Sequence, residues 1–357
     1  MRVVQIIDSL DSGGAERMAV NYANALADKI GFSGLVSTRK EGILKNQIDL
    51  KVPYLFLKKK KSIDLNAVLK LRKFIKKNKV DIIHAHGSSF FIAVLVKLSL
   101  PKIEIVWHDH YGSRIKESKT RNSVLILLSS FFTSIFVVNL QLKEWSDKNM
   151  FCKNVFFIPN FALERKENKQ ITNLYGKQGK RIVFLANLKN PKNHILILKA
   201  FKELKLNELG WSLHLIGKDY FDSYSDEIKN FIKLYSLKND IHLYGEKNDI
   251  KFILSQASIG VLASTEEGFP VTLLEYASEN LPVVSTDVGY CSALIKDEFS
   301  GLLFNPFSNS EATAQLYRLI NDDLLKKKLG ENFKQAVMKN YSEEVVIKKL
   351  ILAYKNK

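Results

Sequence analysis

The sequence predicts an α/β protein built from two Rossmann-like domains facing each other across a cleft. Three observations carry that expectation. Short apolar runs alternate with helical patterns along the whole chain, the rhythm of βαβ units around a parallel sheet. At 357 residues the chain exceeds what one hydrophobic core supports. A polar stretch, ERKENKQITNLYGKQGK at 164–180, then breaks the rhythm once near the middle, with little to bury. The expected division is a first domain over 1–165, a linker over 166–180 and a second domain over 181–340. A last helix over 341–357 is expected to pack back on the first domain.

The elements follow in order. VVQII, ending at Asp8, is apolar throughout, as a strand covered on both faces should be. GGAERMAVNYANALADK reads as the helix after it. VDIIHAH and IEIVWH are strands, separated by the helical SSFFIAVLVKLSL. Residues 122–142, NSVLILLSSFFTSIFVVNLQL, carry no charge over a span long enough to cross a bilayer. Their Ser, Asn, Thr and Gln residues and the β-branched SIFVV favour a buried helix followed by a core strand. VFFIPN closes the first half. In the second half RIVFLANL, WSLHLIGK, IHLYG, IGVLAS and LPVVSTD read as strands, with HILILKAFKEL a helix. The final helix starts at a Ser342 cap signal followed by two acids.

Composition narrows the class. Hydrophobic content of 46% and charged content of 25% are those of an ordinary soluble protein. Cys152 and Cys291 have no CxxC partner and cannot form a disulfide framework, which fits a reducing cytoplasm. MRVVQIIDSL lacks the features of a signal peptide. The net charge of +17 is uneven: residues 1–170 hold 29 Lys and Arg against 15 Asp and Glu, the remainder 25 against 22. The first half is therefore the one suited to an anionic partner. Within it, residues 58–79 hold ten basic residues and one acid, and Leu65, Val68, Leu69 and Ile75 recur at helical spacing. That basic amphipathic helix is either a solvated lysine face or a dock for an anionic membrane surface. With no nucleic-acid module or aromatic stacking pattern beside the charge, nucleic acid is not an expected partner.

In open parallel sheets, ligands bind at the carboxyl ends of strands. Gly13 and Gly14 follow the first strand and precede a helix, where backbone can approach an anion or simply turn. They do not form a GxGxxG fingerprint. Lys192, in NLKNPKNH after the first strand of the second half, is either a point charge for phosphate or a solvated lysine. Glu267 and Glu275 lie in EEGFPVTLLE, a turn leading into a helix. No His or Cys nearby completes a metal set around them. Capping explains Glu275 alone. A sugar nucleotide explains both: its diphosphate takes the free amides of the helix start and Lys192, and its two polyol parts present hydroxyls to the two carboxylates.

The Glu267–Glu275 spacing, followed by ASENLPVVSTDVG and SGLLFNP, resembles the donor site of family 4 retaining glycosyltransferases with the GT-B fold. The resemblance covers nearly the whole chain, with GGAER, DIIHAH, VWHDH, VFFIPN and NLKNPKNH in family order. It implies transfer of a hexose-type sugar, from a UDP-sugar ahead of a GDP-sugar, to a hydroxyl of a lipid-linked or polysaccharide acceptor. The setting would be bacterial surface polysaccharide or lipopolysaccharide synthesis, at the inner membrane face. No cofactor or metal is implied besides the nucleotide-sugar co-substrate. By position, Glu267 would contact the transferred sugar and Glu275 the ribose. Lys192 and the backbone of Gly268, Phe269, Pro270, Val271 and Thr272 would hold the diphosphate. Gly13 and Gly14 would close over it, with Gly245 near the base. His108 would sit at the reacting sugar, and His84 and His86 would line the site. The chain departs from the family pattern at Asn187, where an Arg is frequent and Lys189 could substitute, at Ala293 in place of Glu and at Phe161 in place of Gly. A nucleotide-sugar 2-epimerase on the same fold would need acid/base carboxylates that the first half does not display. A non-catalytic basic protein binding membrane or nucleic acid would leave Glu267, Glu275 and Lys192 unexplained.

Overall fold

The computed structural model describes residues 1–163 and 170–356, which fall into two compact units. Unit 1 is Met1–Asn160 together with the chain's end from Glu343; unit 2 is Phe161–Ser342.

Unit 1 is a seven-stranded sheet of β1 (Arg2–Ser9), β2 (Phe32–Lys40), β3 (Tyr54–Phe56), β4 (Ile82–His86), β5 (Glu104–Asp109), β6 (Ser134–Val137) and β7 (Val155–Phe157). Its order is β3-β2-β1-β4-β5-β6-β7, and every pair is parallel. The helices are α1 (Gly14–Leu26), α2 (Leu65–Lys77), α3 (Phe90–Ser99), α4 (Lys119–Leu128) and α5 (Leu140–Asn149). Strands β2 and β3 lie outside the elements the sequence pattern picks out. FSGLVSTRK holds a glycine, Gly34, where a side chain would crowd the Phe32 ring and the Pro53 carbonyl.

Unit 2 is a six-stranded parallel sheet of β8 (Arg181–Leu185), β9 (Ser212–Ile216), β10 (Ile241–Gly245), β11 (Ile259–Leu262), β12 (Val283–Thr286) and β13 (Leu302–Phe304). Its order is β10-β9-β8-β11-β12-β13. The helices are α6 (His194–Glu203), α7 (Ser223–Leu234), α8 (Ile250–Ser255), α9 (Val271–Ser278), α10 (Cys291–Leu294), α11 (Asn309–Asn321) and α12 (Asp323–Tyr341). The last helix, α13 (Glu343–Lys355), belongs to unit 1 and packs there against α1.

Three expectations need correction. Residues 122–142 fold as the end of α4, a short 3-10 turn, β6 and the start of α5, but α4 is not buried: Val124 and Leu127 face solvent. No helix among the described residues is long and apolar enough to cross a membrane. The apolar positions of α2 do not share one covered face either. Ala67, Leu71 and Ile75 are buried, while Leu65 and Leu69 are exposed beside the lysines. The expected linker over 166–180 lies partly outside the described residues, at 166–169. Its remainder is anchored in unit 2, because the Asp249 carboxylate accepts from Ile171 N (3.0 Å), Thr172 N (2.6 Å) and Thr172 Oγ1 (3.0 Å). Leu174 is buried there as well.

Both strand orders reverse direction, between β1 and β4 in unit 1 and between β8 and β11 in unit 2, and such switch points open a crevice. In unit 2, β8 and β11 are in register only at Ile182–Ile259 and Val183–Gly260. Beyond that the Tyr276 hydroxyl of α9 takes over. It accepts from Leu185 N (2.9 Å) and faces the carbonyls of Val261 (3.0 Å) and Val183 (3.3 Å). Glycine at 260 is required by this arrangement, since a Cβ would lie 2.7 Å from the Tyr276 ring. Tyr276→Phe strips the Leu185 amide of its partner and is expected to destabilise unit 2 by about 1–3 kcal/mol. The check is thermal unfolding, where the loss corresponds to a fall of several degrees in Tm.

Candidate active site

Lys192 sits in the loop after β8 and Glu267 in the loop after β11, so each comes from one side of the switch point. They meet directly, Lys192 Nζ to Glu267 Oε1 at 2.6 Å. Glu267 is only one-tenth exposed and Lys192 one-quarter. The same carboxylate oxygen accepts from the buried Ser264 hydroxyl at 2.6 Å. The Lys192 loop is set by a turn from Lys192 N to Lys189 O (2.9 Å) and by Thr265 N donating to Pro191 O (2.9 Å), which ties it to the Glu267 loop. Gly289 holds Glu267 from the other side. Its φ is +58°, and a Cβ there would lie 1.8 Å from the Glu267 carbonyl oxygen, so only glycine fits.

The turn Gly268–Pro270 leads into α9, whose start has no side-chain cap. Phe269 is buried, stacked on Tyr290 (4.9 Å between centroids) and edge-on to Tyr341 (5.5 Å), which fixes the turn. Thr272 Oγ1 donates to Leu185 O (3.2 Å), docking the first turn of α9 on the end of β8. Glu275 follows on the next turn, half-buried. Lys192, Glu267 and the uncapped α9 start are thus gathered at one strand end.

The other expected donor residues stand further off. Asn187 Oδ1 accepts from Lys218 N (2.9 Å), stapling the loops after β8 and β9. Lys189 is exposed, its ammonium 5.7 Å from the Tyr220 ring centre, and does not double Lys192's contact with Glu267. Gly245, with φ +68°, closes β10 at the sheet's edge, two strands from β8. Ala293 is exposed on α10, and Phe161, the first residue of unit 2, is buried. In unit 1, Gly13 precedes α1 in ordinary extended backbone and Gly14 is its first residue. The Glu16 carboxylate occupies the space over Gly13, 2.0 Å from where a Cβ would be, so an anion approaching this helix start would meet a like charge.

His108 is fully buried and does not stand alone. Alternation along β4 and β5 puts His84, His86, His108 and His110 on one face, with Gln5 of β1 in register with His84. The rings stack: His84 on His86 (4.4 Å), His84 on His108 (5.1 Å), His108 on His110 (4.2 Å). Tyr22 of α1 and Tyr354 of α13 pack against them. Nitrogens of His84, His86 and His108 lie within 4.8 Å of one another, a metal-like spacing. His84 Nε2 and His108 Nδ1, however, face each other at 3.1 Å as hydrogen-bond partners, whereas a metal needs ligand lone pairs to converge on one point at about 2 Å. Burial pushes all four histidines down, His110 to about 3, so the array is neutral at physiological pH. Beside it, burial raises the Asp109 carboxyl while the Arg114 guanidinium, paired to it through two nitrogens, opposes the rise.

Sequence reasoning missed Ser264, Gly289, His110 and Tyr354. His110 repeats the spacing of His84 and His86 and was within reach of the pattern. Tyr354 was not, being 270 positions from the His84 it touches.

The model of glycosyl transferases group 1 matches residues 164–336, and that of glycosyltransferase family 4 matches 12–161. The chain belongs to the family 4 glycosyltransferases and is an enzyme of that class, with the GT-B pair of parallel-sheet domains. A Campylobacter jejuni alpha-1,4-N-acetyl-D-galactosaminyltransferase acting on an undecaprenol-diphosphate glycan is 25% identical over 94% of this chain and 93% of its own. An Escherichia coli UDP-Gal:alpha-D-GlcNAc-diphosphoundecaprenol alpha-1,3-galactosyltransferase is 25% identical, covering 73% and 72%. Among solved structures, Anabaena HepE in complex with UDP and glucose superposes with a TM-score of 0.83 at 15% identity, covering both chains completely.

The neutral histidines give a pH dependence with a definite sign. Their folded pKa values lie below the unfolded value of about 6.5, so the unfolded chain takes up protons first as pH falls. Stability is complete above that value and is lost on acidification, down to about 3 for His110. Each ring contributes a slope of about 1.4 kcal/mol per pH unit at most. Thermal unfolding measured from neutral to mildly acidic pH should show unit 1 weakening steeply; a flat profile would contradict the buried neutral array.

Proposed function

We propose that the chain transfers a hexose-type sugar from a UDP-sugar to a hydroxyl of a lipid-linked glycan, with retention of anomeric configuration. The observation that carries the reading is the Lys192–Glu267 pair at the β8/β11 switch point, next to the uncapped start of α9. An ammonium and free helix amides together suit a diphosphate. On this reading unit 2 holds the donor and unit 1 the acceptor.

Lys192 and Glu267 neutralise each other where they meet. An arriving diphosphate competes for Lys192, and Glu267, still oriented by Ser264, is released to accept from a sugar hydroxyl. Glu275 would take the ribose. The bond between the anomeric carbon and the β-phosphate oxygen then breaks. The leaving oxygen takes the acceptor hydroxyl's proton, and the new C–O bond forms on the same face. Lys192 and the α9 amides stabilise the developing phosphate charge, so the chemistry asks for positioning and electrostatics and for no metal. A 2-epimerase would need acid/base carboxylates in unit 1. There the buried Asp109 is held by Arg114, and Asp8 by Thr38 and Ser88.

UDP titrated calorimetrically into the EDTA-treated protein should bind saturably, and ahead of GDP and ADP. Lys192→Ala and Glu275→Ala should each weaken binding by about tenfold or more, the loss of one charged hydrogen bond. Absence of saturable binding by any of the three nucleotides would overturn the reading.

The acceptor class draws on the undecaprenol-diphosphate substrates named for the two bacterial relatives. The basic first half and the exposed Ile63, Leu65 and Leu69 among the lysines around α2 fit a cytoplasmic enzyme held at an anionic membrane face. Sedimentation with phosphatidylglycerol vesicles should weaken as salt rises, fail with neutral vesicles and drop in Leu65→Ser/Leu69→Ser. Equal binding to neutral vesicles would remove the electrostatic part.

A further inference from the structure

Four consecutive lysines, 58–61, follow β3, and they do not all face the same way. Lys58, Lys60 and Lys61 are exposed, whereas Lys59 is only 6% exposed. The backbone fixes the inward member. Lys59 N donates to Thr38 O (2.7 Å), which carries the β2–β3 pairing past the strand end. Lys58 before it takes left-handed backbone at φ +56°, a conformation that costs a lysine free energy and persists where its surroundings demand it. The Lys59 ammonium has no hydrogen-bond or ion-pair partner among the described residues. Its stem is covered, while the ammonium stays partly open to water and within the fields of Asp8 and Arg39. Burial lowers its pKa, Asp8 opposes the fall and Arg39 adds to it.

These groups stand at the carboxyl ends of β1, β2 and β3, beside the β1/β4 switch point. Asp8 of β1 accepts from the Thr38 hydroxyl of β2 and from Ser88 Oγ (2.6 Å), in the turn after β4. Arg39 Nε reaches the same carboxylate only at 3.6 Å. Two cations therefore share one carboxylate whose oxygens already accept from hydroxyls, and one positive charge is left over. The side chains of Arg39 and Asp8 are 42% and 25% exposed, so the cluster opens to solvent. A guanidinium fork and a three-donor ammonium side by side suit a phosphate group.

We propose that Arg39 and Lys59 form a phosphate-binding pair in unit 1, and that its ligand is the phosphate joining an acceptor glycan to its lipid. Placement favours that phosphate. On one side lies the switch point of β1 and β4, where a ligand of this sheet belongs. On the other lies α2. The Asp64 carboxylate accepts from Lys60 N (3.1 Å) and Ala67 N (3.1 Å), tying the lysine run to the exposed Ile63, Leu65 and Leu69. A lipid-linked glycan has the same order of sugar, phosphate and apolar chain. The identity of the ligand rests on the glycosyl-transfer reading above; the anion site itself does not.

The test is calorimetric titration of inorganic pyrophosphate into the full chain saturated with UDP, in EDTA at physiological ionic strength. UDP fills the donor site, so the added anion reports on unit 1. Binding should be saturable. Lys59→Met, which keeps the covered stem, should weaken it about tenfold or more, the loss of one charged hydrogen bond. Arg39→Gln should do the same, and serves if Lys59→Met does not fold. Lys60→Met and Lys61→Met remove the same charge from the exposed side of the run and should change it less than about twofold. No saturable binding, or equal losses in all four variants, would overturn the site. Sedimentation with phosphatidylglycerol vesicles separates the two sources of phosphate. Lys59→Met should bind them like the wild type; a loss matching its pyrophosphate defect would assign the pair to bilayer headgroups and overturn the acceptor assignment. A wild-type chain that binds no UDP would sink the glycosyl-transfer reading, and titration of Lys192→Ala without UDP would then judge the anion site alone.

Discussion

The contact between Lys192 and Glu267 is the constraint around which unit 2 is arranged. Two opposite charges, largely withdrawn from water, hold together loops from adjacent strands that hardly pair with each other. Removing either member would leave the other poorly solvated, which typically costs about 3–5 kcal/mol in buried pairs. The surroundings are built to keep the pair in register. Ser264 orients the carboxylate, Gly289 allows the backbone behind it, and Phe269 is clamped by Tyr290 and Tyr341. Tyr276 does the complementary work beneath: its hydroxyl satisfies the backbone groups exposed where β8 and β11 part. A crevice at the switch point is therefore maintained by a phenol below and an ion pair above.

Unit 1 solves a different problem. Burying four imidazoles costs free energy unless each nitrogen finds a partner of the right kind. The sheet's period of two brings the rings onto one face, and the register pairs His86 with His108. Helices α1 and α13 then supply phenol rings that cover the stack. Neutrality is the price of this burial, and it also defines the array's chemistry. An uncharged ring presents one donor and one acceptor, where a charged histidine would present two donors.

How much of this was legible follows from the range of each interaction. The parallel-strand rhythm was readable because burial on both faces writes a continuous apolar run into each central strand. Glu267 and Lys192 were readable because their loops carry turn residues and stand at strand ends, and position in an α/β sheet limits what a loop can do. The strand β2 was not, since its glycine and hydroxyl residues weaken the β signal while its register with β1 supplies the stability. The exposed face of α2 misled for a similar reason: helical spacing reports which residues are apolar, not which side the sheet covers. Asn187 and Lys189 entered through the family pattern at their positions, and what their side chains meet was not readable from the loop sequence. Loop geometry sends Lys189 to Tyr220 and gives Asn187 the Lys218 amide.

Tyr354 shows where local reading has no purchase at all. Its hydroxyl completes the histidine network of β4 and β5, yet it lies on the last helix, separated from them by the whole of unit 2. Contacts of such sequence separation form late, after the loop-closure entropy of the intervening chain has been overcome. Until α13 docks, His84 Nδ1 and the Gln5 amide lack their common partner, and unit 1 carries buried polar groups that nothing satisfies. The first domain of the chain is thus complete only when its final residues have returned to it. A short C-terminal helix, polar on one side and unremarkable in sequence, thereby completes the hydrogen bonding of residues that the first third of the chain contributes.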